Sequence, residues 1–586
     1  MDDNEITDLL WKFALINSVK FGGTPNHKAI MGKIMAERKD LRSQSGQVMG
    51  ILESIIDKIN SMNLDAQTKK LIEIDPSALD KKETKKEEKE LPVLPEVSKY
   101  KNVVMRLAPY PSGALHIGNA RMIVLNDEYV KRYKGELILF YDDTIGSPKS
   151  LRDSPKAKYV LPESYDLIKE GLDWLKVVYN KVYYKSDRLE IFYEYCEKLI
   201  KDELAYVCLC SAEEFRDSYK LKQLDCPHRN QTIQENIQEW NKMLSGEYHE
   251  TEAVVRLKTG MNQKDPALRD QIIMRISEAE HPKVGTKYKV WPMLEFSWAI
   301  DDHLIGVTHI LRGSDLVKED FIENFVWEHF NWKKAQFLHY GRINFPEMKL
   351  SKTDARNNIQ NGVFYGWDDP RTWTLQSLKK RGIQPEALRE SLLDLGMSMS
   401  GITFSVNWLY SKNQDLIDDH SNRYFFVEDP VHVEIKEVPN KEFFAKPLLL
   451  PTKPEKGTRT IKITAKDAKI DLFISSNDIT LLENSRIIRL KDLFNIQIDS
   501  IEAESKFIHA HYHSPALDRN YSIIQWVPVQ KHINVEILKP DGKISKGVGE
   551  INLENIPMEV PIQFERYGFV NPISRDNKLL FCYFTH

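Results

Sequence analysis

The fold is decided by the stretch VVMRLAPYPSGALHIGN, residues 103–119. Its apolar beginning predicts a buried strand, its prolines and glycine predict a turn, and apolar residues at helical spacing predict a helix from Ile117 to Tyr133. A second apolar stretch, Leu137–Tyr141, predicts another strand. Strand, turn, helix and strand at this spacing predict a βαβ unit, in which ligands bind at the carboxyl ends of the strands beside the helix N-terminus.

The residues that could carry chemistry fall into two short motifs. At the strand–helix junction, Gly118 would let a phosphate approach the helix N-terminus, and His116 would donate a hydrogen bond to it. Farther along, Met348-Lys349-Leu350-Ser351-Lys352-Thr353 places two lysines in a loop that could clamp a departing pyrophosphate. Taken alone, a turn glycine with a surface histidine, or a basic surface loop, explains each motif more simply.

The sequence pattern changes several times along the 586 residues. Residues 1–78 show helical spacing and lead to the charged run DKKETKKEEKE, residues 80–90, which predicts a solvated linker. An α/β pattern begins near residue 100, and residues 355–420 are mostly helical. From about residue 428 the apolar period becomes two, as in Val431, Val433 and Ile435, which predicts an all-β region of barrels or a sandwich.

The composition is that of an ordinary globular protein. Lys plus Arg (82) against Asp plus Glu (86) gives a net charge of −4, so any RNA must be bound by local basic patches. Five cysteines are too few for a disulfide framework, the acidic beginning MDDNEITD does not resemble a signal peptide, and no apolar run is long enough for a membrane helix. We therefore expect a cytoplasmic protein of roughly three to five domains that does not enter a membrane.

In this order, the two motifs resemble the HIGH and KMSKS signatures of class I aminoacyl-tRNA synthetases. Further segments resemble the glutamyl/glutaminyl branch of that family, namely FYDDT, AIDDHLIGVTHILRG at 299–313, PTKPEKGTR at 451–459 and IIQWVPVQ at 523–530. The segment NHKAIMGKIMAERKDLR resembles the N-terminal extension of the archaeal-type glutamyl enzymes. The resemblance covers nearly the whole chain, and its motifs are highly specific.

The resemblance implies a multidomain protein that combines α/β and all-β parts. These parts would be a helical N-terminal extension with the charged linker (1–95), a Rossmann-type catalytic domain (96–350) with an acceptor-stem-binding insertion (about 205–290), the KMSKS-type loop with a helical stem-contact region (351–428), and a C-terminal double β-barrel that binds the anticodon (429–586).

The resemblance also implies an activity. Glutamate would be activated with ATP and Mg2+ to an adenylate and transferred to the 3′ end of tRNA(Glu), and charging of tRNA(Gln) stays open. Positioning and charge would stabilise the in-line attack of a carboxylate on the α-phosphorus, without a side-chain nucleophile. The residues assigned to catalysis are His116, Gly118, Asn119, Lys349, Ser351 and Lys352. Those assigned to ATP are Pro109, Ser112, Gly113, His116, Gly118, Asn119 and Lys352. Those assigned to the amino acid are Arg106, Tyr110, Asp142 and Arg312.

Glutamate carries one more carboxylate than glutamine, so its site should supply an additional cation. Arg312, within HILRG, matches the position where glutamyl enzymes keep arginine, and this favours glutamate. An ordinary ion-pair role for Arg312 is the alternative. A glutaminyl-tRNA synthetase is the competing enzyme, and a synthetase-like protein that binds RNA without catalysis is the competing non-enzyme.

Several positions depart from the family pattern around the implied amino-acid pocket. Asn119 replaces the second histidine of HIGH, which keeps a hydrogen-bonding group but loses a charge. Leu294 replaces a usual tyrosine, Tyr110 stands where a small or acidic residue is usual, and IGSPK follows FYDDT in place of TNP or TDP. We expect a repacked pocket, in which Tyr110 supplies the hydroxyl lost at Leu294.

Four residues predict a metal centre. Cys208, Cys210, Cys226 and His228 have the ligand types and spacing of a tetrahedral zinc site. They fall in the implied insertion, where some relatives bind zinc. A structural zinc ion is the prediction, and free thiols in a cytosolic fold are the alternative.

The RNA-binding residues are harder to predict. Aromatic residues of the predicted β region, including Trp526 and Phe564, could stack on splayed anticodon bases. Lys453, Lys456 and Arg459 form one of its basic clusters. The N-terminal region is expected either to dock a protein partner or to pack on the enzyme, and its composition favours neither.

Overall fold

The computed structural model describes residues 3–20, 25, 27–38, 45–75, 91–149, 154–502, 506–518 and 520–586. The chain divides into two compact units, residues 1–88 and 89–586. Within the described ranges, no helix is long and apolar enough to span a membrane. The charged run predicted as a linker, residues 80–90, lies outside them.

The first unit is helical. Its elements are α1 (Asp3–Lys20), α2 (His27–Glu37), α3 (Ser45–Asn60) and α4 (Leu64–Ile74). In α3, Val48, Leu52, Ile55 and Ile59 recur three or four residues apart and are all buried. All of these helices contribute to one cluster of buried apolar residues. The helical N-terminal extension predicted from the sequence is therefore confirmed.

The second unit begins with the predicted βαβ arrangement. Its elements are β1 (Val104–Leu107), α5 (Ile117–Tyr133), β2 (Glu136–Tyr141), α6 (Ser164–Trp174), β3 (Lys181–Tyr184) and α7 (Leu189–Lys201). The three strands pair in parallel, with β2 in the centre. After its first residue, each of β1 and β2 is buried throughout, which is typical of parallel strands covered on both faces.

The chain then leaves the parallel sheet and forms a separate antiparallel sheet. Its elements are β4 (Ala205–Cys208), α8 (Ala212–Glu214), α9 (Ile233–Ser245), β5 (Val254–Leu257), β6 (Ile272–Ile276) and β7 (Val290–Pro292). The strands pair in the order β4-β5-β6-β7. This sheet interrupts the parallel α/β fold, as an insertion does.

The parallel fold resumes after the insertion. Its elements are α10 (Leu294–Leu304), β8 (His309–Gly313), α11 (Val317–His329), β9 (Gln336–Tyr340) and β10 (Ile343–Asn344). β8 and β9 pair in parallel. The Thr308 N–H, just before β8, donates to the Val104 carbonyl at 2.9 Å, so β8 begins next to β1.

A helical region follows and packs on this fold. Its elements are α12 (Lys352–Gln360), α13 (Leu375–Lys380), α14 (Pro385–Leu393), β11 (Ile402–Thr403) and α15 (Val406–Ile417). α13, α14 and α15 contribute residues to the apolar core that β1, β2 and α5 also form. The helical region and the parallel sheet therefore share one core.

The remaining chain is rich in strands. Its elements are β12 (Arg423–Tyr424), β13 (Phe426–Glu428), β14 (Pro430–Lys436), β15 (Glu442–Ala445), β16 (Ile461–Thr464), β17 (Ile470–Ser475), α16 (Ile479–Asn484), β18 (Ile487–Leu490), β19 (Asn495–Glu502), β20 (Phe507–Ser514), β21 (Ile523–Ile524), β22 (Val527–Pro528), β23 (His532–Leu538), β24 (Ile544–Glu550), β25 (Ile562–Phe564), β26 (Gly568–Asp576) and β27 (Leu579–Phe584).

Most of these strands join two curled sheets. Among the described residues, seven strands pair in the order β12-β25-β26-β27-β23-β24-β13, and seven in the order β21-β18-β19-β20-β14-β17-β22. Each sheet surrounds its own apolar core. Val431, Val433 and Ile435 of β14 are buried in alternation with less buried residues, as the period of two predicts. The predicted C-terminal double β-barrel is confirmed.

One prediction about this region is wrong. Trp526 and Phe564, expected to stack on anticodon bases, are completely buried in the barrel cores. The Trp526 ring N–H donates to the Lys491 carbonyl at 3.0 Å. Arg459 of the basic cluster is also buried, and it pairs with Glu550 at 2.9 Å. These side chains stabilise the barrels and are not available to RNA.

Candidate active site

His116 stands at the N-terminus of α5 and caps the helix. Its Nδ1 accepts the Gly118 N–H at 3.1 Å, and the Asn119 side-chain oxygen accepts the His116 N–H at 3.1 Å. The two bonds form a reciprocal capping box. Asn119 therefore has a defined role at the position where the family usually has histidine, because it fixes the backbone that presents His116.

Burial keeps His116 neutral. Loss of solvent, followed by the charge of Lys352, lowers the pKa of His116 to about 3. Because Nδ1 accepts a hydrogen bond, the proton of the neutral ring is assigned to Nε2. The imidazole thus offers a single N–H donor beside the partial positive charge of the helix N-terminus.

The first backbone N–H groups of α5 are already used. Ile117 donates to the Trp373 carbonyl at 3.0 Å, and Asn119 donates to the His116 carbonyl at 2.8 Å. Gly118 donates to the His116 ring, as described above. The helix N-terminus therefore attracts an anion through its dipole, and side chains must supply the direct hydrogen bonds.

Lys352 reaches the same junction from the second motif. Its Nζ lies 3.4 Å from the carbonyl oxygens of both Tyr110 and Gly113, so the two motifs meet at the turn between β1 and α5. Burial lowers the pKa of Lys352 to about 8. Since both hydrogen bonds are long, the ammonium group can exchange them for a stronger bond to an incoming polyanion.

Two glycines allow this close approach. Gly113 has a φ of +145°, and a Cβ at this position would overlap the ring of Trp367. A Cβ on Gly118 would lie 3.0 Å from Cε1 of His116 and 3.2 Å from Leu350. Both contacts are tighter than side chains normally tolerate. The turn is thus in close contact with Trp367 and with the second motif.

The remaining assigned residues of the two motifs take no part in the hydrogen bonds of His116 and Lys352 described above; they cap a helix, face solvent or lie in the turn. Ser351 caps α12 by accepting the Asp354 N–H at 3.1 Å. Lys349 is 85% exposed and pairs with Asp354 at 3.3 Å. Ser112 is half-buried in the turn. Of the two lysines in the motif, Lys352 is the one that the structure brings to the junction.

Arg106, predicted to bind the amino acid, is paired within the chain. It is buried in β1 and donates through Nε and Nη2 to the two carboxylate oxygens of Asp302, at 2.5 and 2.7 Å. Its guanidinium carbon lies 3.5 Å from the centre of the Trp298 ring. A buried bidentate pair stacked on an aromatic ring holds Arg106 firmly in one orientation.

Asp142, the predicted partner of the substrate ammonium, lies just after β2. Its backbone N–H donates to the Pro109 carbonyl at 3.2 Å, and its carboxylate lies 3.2 Å from the ammonium of Lys185. Lys185 is completely buried, donates to the Ser297 hydroxyl at 2.5 Å, and lies 3.5 Å from the Trp298 ring centre. Burial lowers the pKa of Lys185, and Asp142 opposes that shift.

Arg312, near the end of β8, is enclosed by carboxylates. Its Nη1 donates to Glu323 at 2.7 Å, and its Nη2 lies 2.5 Å from Asp320. Glu323 is completely buried, and Arg312 is 7% exposed. Arg312 therefore has the ion-pair arrangement that was the alternative to substrate binding, and its contact with a substrate stays a prediction.

Tyr110 and Leu294 stand where the sequence departs from the family. The Tyr110 hydroxyl lies so close to Gly146 that a Cβ at that glycine would collide with it. Leu294 is the first residue of α10. The hypothesis that Tyr110 replaces a hydroxyl lost at Leu294 stays a prediction.

The four predicted metal ligands come together in the insertion. The side-chain ligand atoms of Cys208, Cys210, Cys226 and His228 all lie within 4.8 Å of one another. The Cys208 and Cys226 sulfurs are 4.0 Å apart, and the Cys210 sulfur is 3.4 Å from Nδ1 of His228. A tetrahedral zinc ion with bonds of about 2.3 Å would hold two sulfurs about 3.8 Å apart. The donor set and its dimensions fit zinc.

Several neighbours of the site could not be predicted from the motifs. They are Lys185, Trp298, Asp302, Asp320 and Glu323. The doublet Asp301-Asp302 in an apolar segment is a usable signal, because charges in such segments are usually paired. Lys185 and Glu323 lie in mixed sequence that gives no comparable signal.

Family models match the chain in three successive segments. Residues 102–419 match the catalytic domain of the class I tRNA synthetases (E and Q). Residues 421–513 and 523–572 match two anticodon-binding domains of the same group. The chain belongs to this family of class I tRNA synthetases.

Within the family, the curated relatives indicate one branch. A glutamate–tRNA ligase of Pyrococcus furiosus is 41% identical over 99% of this chain and 100% of its own length. Glutamate–tRNA ligases of Pyrococcus abyssi and Methanocaldococcus jannaschii are 40% and 38% identical, over 99% and 98% of this chain and 100% and 98% of their own lengths. The resemblance to the archaeal-type glutamyl enzymes is confirmed.

Replacement of Gly118 by alanine should displace the His116 ring, because the new methyl group would lie 3.0 Å from it. We expect a loss on the order of 10- to 100-fold in kcat/KM for ATP, as a displacement of about 1 Å can cause. Pyrophosphate exchange in the presence of tRNA measures this. Gly401→Ala is the matched control, since the nearest heavy atom to its new Cβ lies 3.9 Å away. Equal activities of the two variants would contradict the role given to the contact.

Proposed function

We propose that this chain is a glutamate–tRNA ligase, which converts glutamate and ATP to glutamyl-adenylate and transfers the glutamyl group to the 3′ end of tRNA(Glu). One observation carries the proposal: Lys352 converges on the turn that presents His116, in a chain that aligns with glutamate–tRNA ligases over nearly its whole length. The cytoplasmic location expected from the sequence belongs to the same proposal.

In the proposed first step, the ATP phosphates lie at the N-terminus of α5. Nε2 of His116 donates to a phosphate oxygen, and Lys352 neutralises charge on the pyrophosphate as it leaves. A carboxylate oxygen of glutamate attacks the α-phosphorus, and the bond to pyrophosphate breaks. Mg2+ would accompany the triphosphate and neutralise part of its charge. The side chains act by position and charge and form no covalent bond.

A neutral histidine and a lysine of lowered pKa suit this step. A neutral imidazole donates without adding a second buried cation next to Lys352. The pKa of Lys352 is lowered by burial, and an adjacent triphosphate would restore its charge by supplying the missing counterion. The charged form of Lys352 would therefore be most stable when ATP is bound.

The amino-acid site is proposed beside this junction, around Arg106 in β1, Asp142 after β2 and Arg312 in β8. The two arginines would receive carboxylates of glutamate, Asp142 would receive its ammonium, and Tyr110 would complete the pocket. Because Arg106, Asp142 and Arg312 each have a buried ionic partner, substrate binding must share or replace existing ion pairs.

The RNA substrate is proposed to contact the insertion at its acceptor stem, the helical region α12–α15 along its body and the two barrels at its anticodon. This assignment rests on the family matches to the catalytic and anticodon-binding domains. Two further predictions from the sequence do not rest on the family matches. They are the charging of tRNA(Gln) and the docking of a protein partner on residues 1–95.

Purified protein should charge tRNA(Glu) with labelled glutamate in the presence of ATP and Mg2+, and should not charge it with glutamine. Separate reactions with tRNA(Gln) show whether the enzyme accepts both RNAs. Acid-precipitable label measures each product. Charging by glutamine would favour the glutaminyl alternative, and no charging with either amino acid would favour the non-catalytic one.

Lys352→Ala should slow adenylate formation far more than it weakens tRNA binding, because the ammonium group acts on the charge that develops on pyrophosphate. Loss of one such group typically costs about 100- to 1000-fold in kcat. Single-turnover kinetics and filter binding of tRNA(Glu) separate the two effects. Lys169→Ala, at an exposed lysine of α6 outside the proposed RNA contacts, serves as the control. Equal losses in both measurements would contradict the proposed role of Lys352.

We also propose that Cys208, Cys210, Cys226 and His228 hold a structural zinc ion. Their ligand atoms lie within 4.8 Å of one another, close to the separations of a tetrahedral site, and the three cysteines are buried. Zinc would join β4 to the segment around Cys226 and so brace the insertion. No step of the reaction passes through this ion.

Protein purified without chelator should contain stoichiometric zinc, as metal analysis would show. Cys226→Ser should lower the zinc content and the thermal unfolding temperature, because a ligand of a buried centre is removed. Cys582→Ser, at a buried cysteine outside the cluster, should keep the zinc. A wild-type protein without zinc would favour free thiols.

A further inference from the structure

The arginines assigned to the substrate are surrounded by more negative than positive charge. Asp302 pairs with Arg106, and Glu323 and Asp320 both pair with Arg312. Two guanidinium groups thus face three carboxylates, and the side chains of both arginines are 8% exposed. A site in this condition does not offer a spare cation to a further carboxylate.

The pair of Arg312 and Glu323 is also incompletely hydrogen-bonded. Nε of Arg312 and Oε2 of Glu323 are buried and have no hydrogen-bond partner among the described residues. Unsatisfied groups of this kind are unusual in a protein interior unless water, an ion or a ligand completes them. Within the described part of the chain, the buried pair of Arg312 and Glu323 therefore keeps one unpaired donor, Nε, and one unpaired acceptor, Oε2, at the end of β8.

We propose that Glu323 is a specificity-determining residue of the amino-acid site, which takes up a proton when Arg312 receives the side-chain carboxylate of glutamate. The inference rests on the proposed function, since it concerns the amino acid that the site selects. It assigns to Glu323 a role that neither of the two motifs predicts.

Charge balance is the physical reason. A bound side-chain carboxylate would bring four negative groups against two guanidinium groups in a buried site, and uncompensated buried charge is strongly unfavourable. Protonation of one resident carboxylate removes one negative charge. Glu323 is the best placed to accept the proton, because its side chain is completely buried whereas that of Asp320 is 16% exposed. Both carboxylate oxygens of Asp302 already accept hydrogen bonds from Arg106.

The surroundings of Glu323 agree with this assignment. The other charged or titratable groups of the cluster are Arg106 of β1, Asp302 of α10, Arg312 of β8, Asp320 of α11 and His339 of β9. His339 lies 3.1 Å from Asp320, so a proton on that ring would offset Asp320 rather than Glu323. Burial raises the pKa of Glu323 above its usual value, although the charge of Arg312 opposes the shift.

Specificity follows from the protonation state. Protonated Glu323 can donate to a substrate carboxylate that also accepts from Arg312, which suits glutamate. When Glu323 is ionised, its carboxylate can accept from the amide N–H of a glutamine side chain while Arg312 donates to the amide oxygen. Glutamate binding is therefore coupled to a proton, whereas glutamine binding is not. Rising pH should weaken selection of glutamate over glutamine.

The test measures KM for glutamate in the charging of tRNA(Glu) between pH 6 and pH 8.5. Wild-type KM should rise by about tenfold per pH unit above the pKa of Glu323, as coupling to one proton requires. Glu323→Gln, which is neutral and can still accept from Arg312, should show a KM for glutamate that is nearly constant over the same pH range. Glu328→Gln, at an exposed position of the same helix, should keep the wild-type slope.

A second measurement needs no variant. Titration calorimetry of wild-type protein with glutamate at pH 7.5, in buffers of different ionisation enthalpy, should show proton uptake of up to one per site. A heat that is independent of the buffer, or equal pH slopes for wild type and Glu323→Gln, would overturn the inference while glutamate charging persists. Absence of glutamate charging at every pH would overturn the proposed function together with this inference.

Discussion

Two backbone hydrogen bonds between residues 115–117 and residues 373–375 fix the geometry on which the site depends. Ile117 donates to the Trp373 carbonyl at 3.0 Å, and Leu375 donates to the Leu115 carbonyl at 2.8 Å. They attach the start of α5 to a segment that lies more than 250 residues later. The direction of the helix dipole, and with it the position of the His116 ring, is therefore set by the helical region as well as by the parallel sheet.

This attachment continues into the barrel that contains β26 and β27. The buried Arg381 guanidinium lies 4.8 Å from the Trp373 ring and donates to the Tyr410 hydroxyl at 2.5 Å, and the Tyr410 ring stacks on His586 with centres 4.3 Å apart. Asn571 of β26 also donates to the Lys380 carbonyl at 2.9 Å. A continuous set of packed side chains thus joins a barrel of the anticodon-binding region to the turn that carries His116.

The sequence predicts best what depends on near neighbours. The helix Ile117–Tyr133 and the alternation in β14 follow from local apolar spacing, and both are found. The partner of Arg106 is 196 residues away, so no local pattern could reveal Asp302. The pattern does not show that Trp526 is buried, because an aromatic side chain at a strand position is compatible with either face of a β-barrel. The sequence predicts that Asn119 keeps a hydrogen-bonding group, but it does not reveal that the side-chain oxygen accepts the His116 N–H and so caps the helix.

The choice between glutamate and glutamine cannot be made from Arg312 alone. Arg312 supplies a positive charge, but a substrate responds to the sum of the charges around it, and Glu323 and Asp320 reverse that sum locally. An arginine identified by motif is thus a necessary part of a carboxylate site and not a sufficient one. Selection of glutamate depends on whether the buried carboxylate of Glu323 can be neutralised when the substrate binds. Glu323 lies in helix α11, which contains neither of the two motifs.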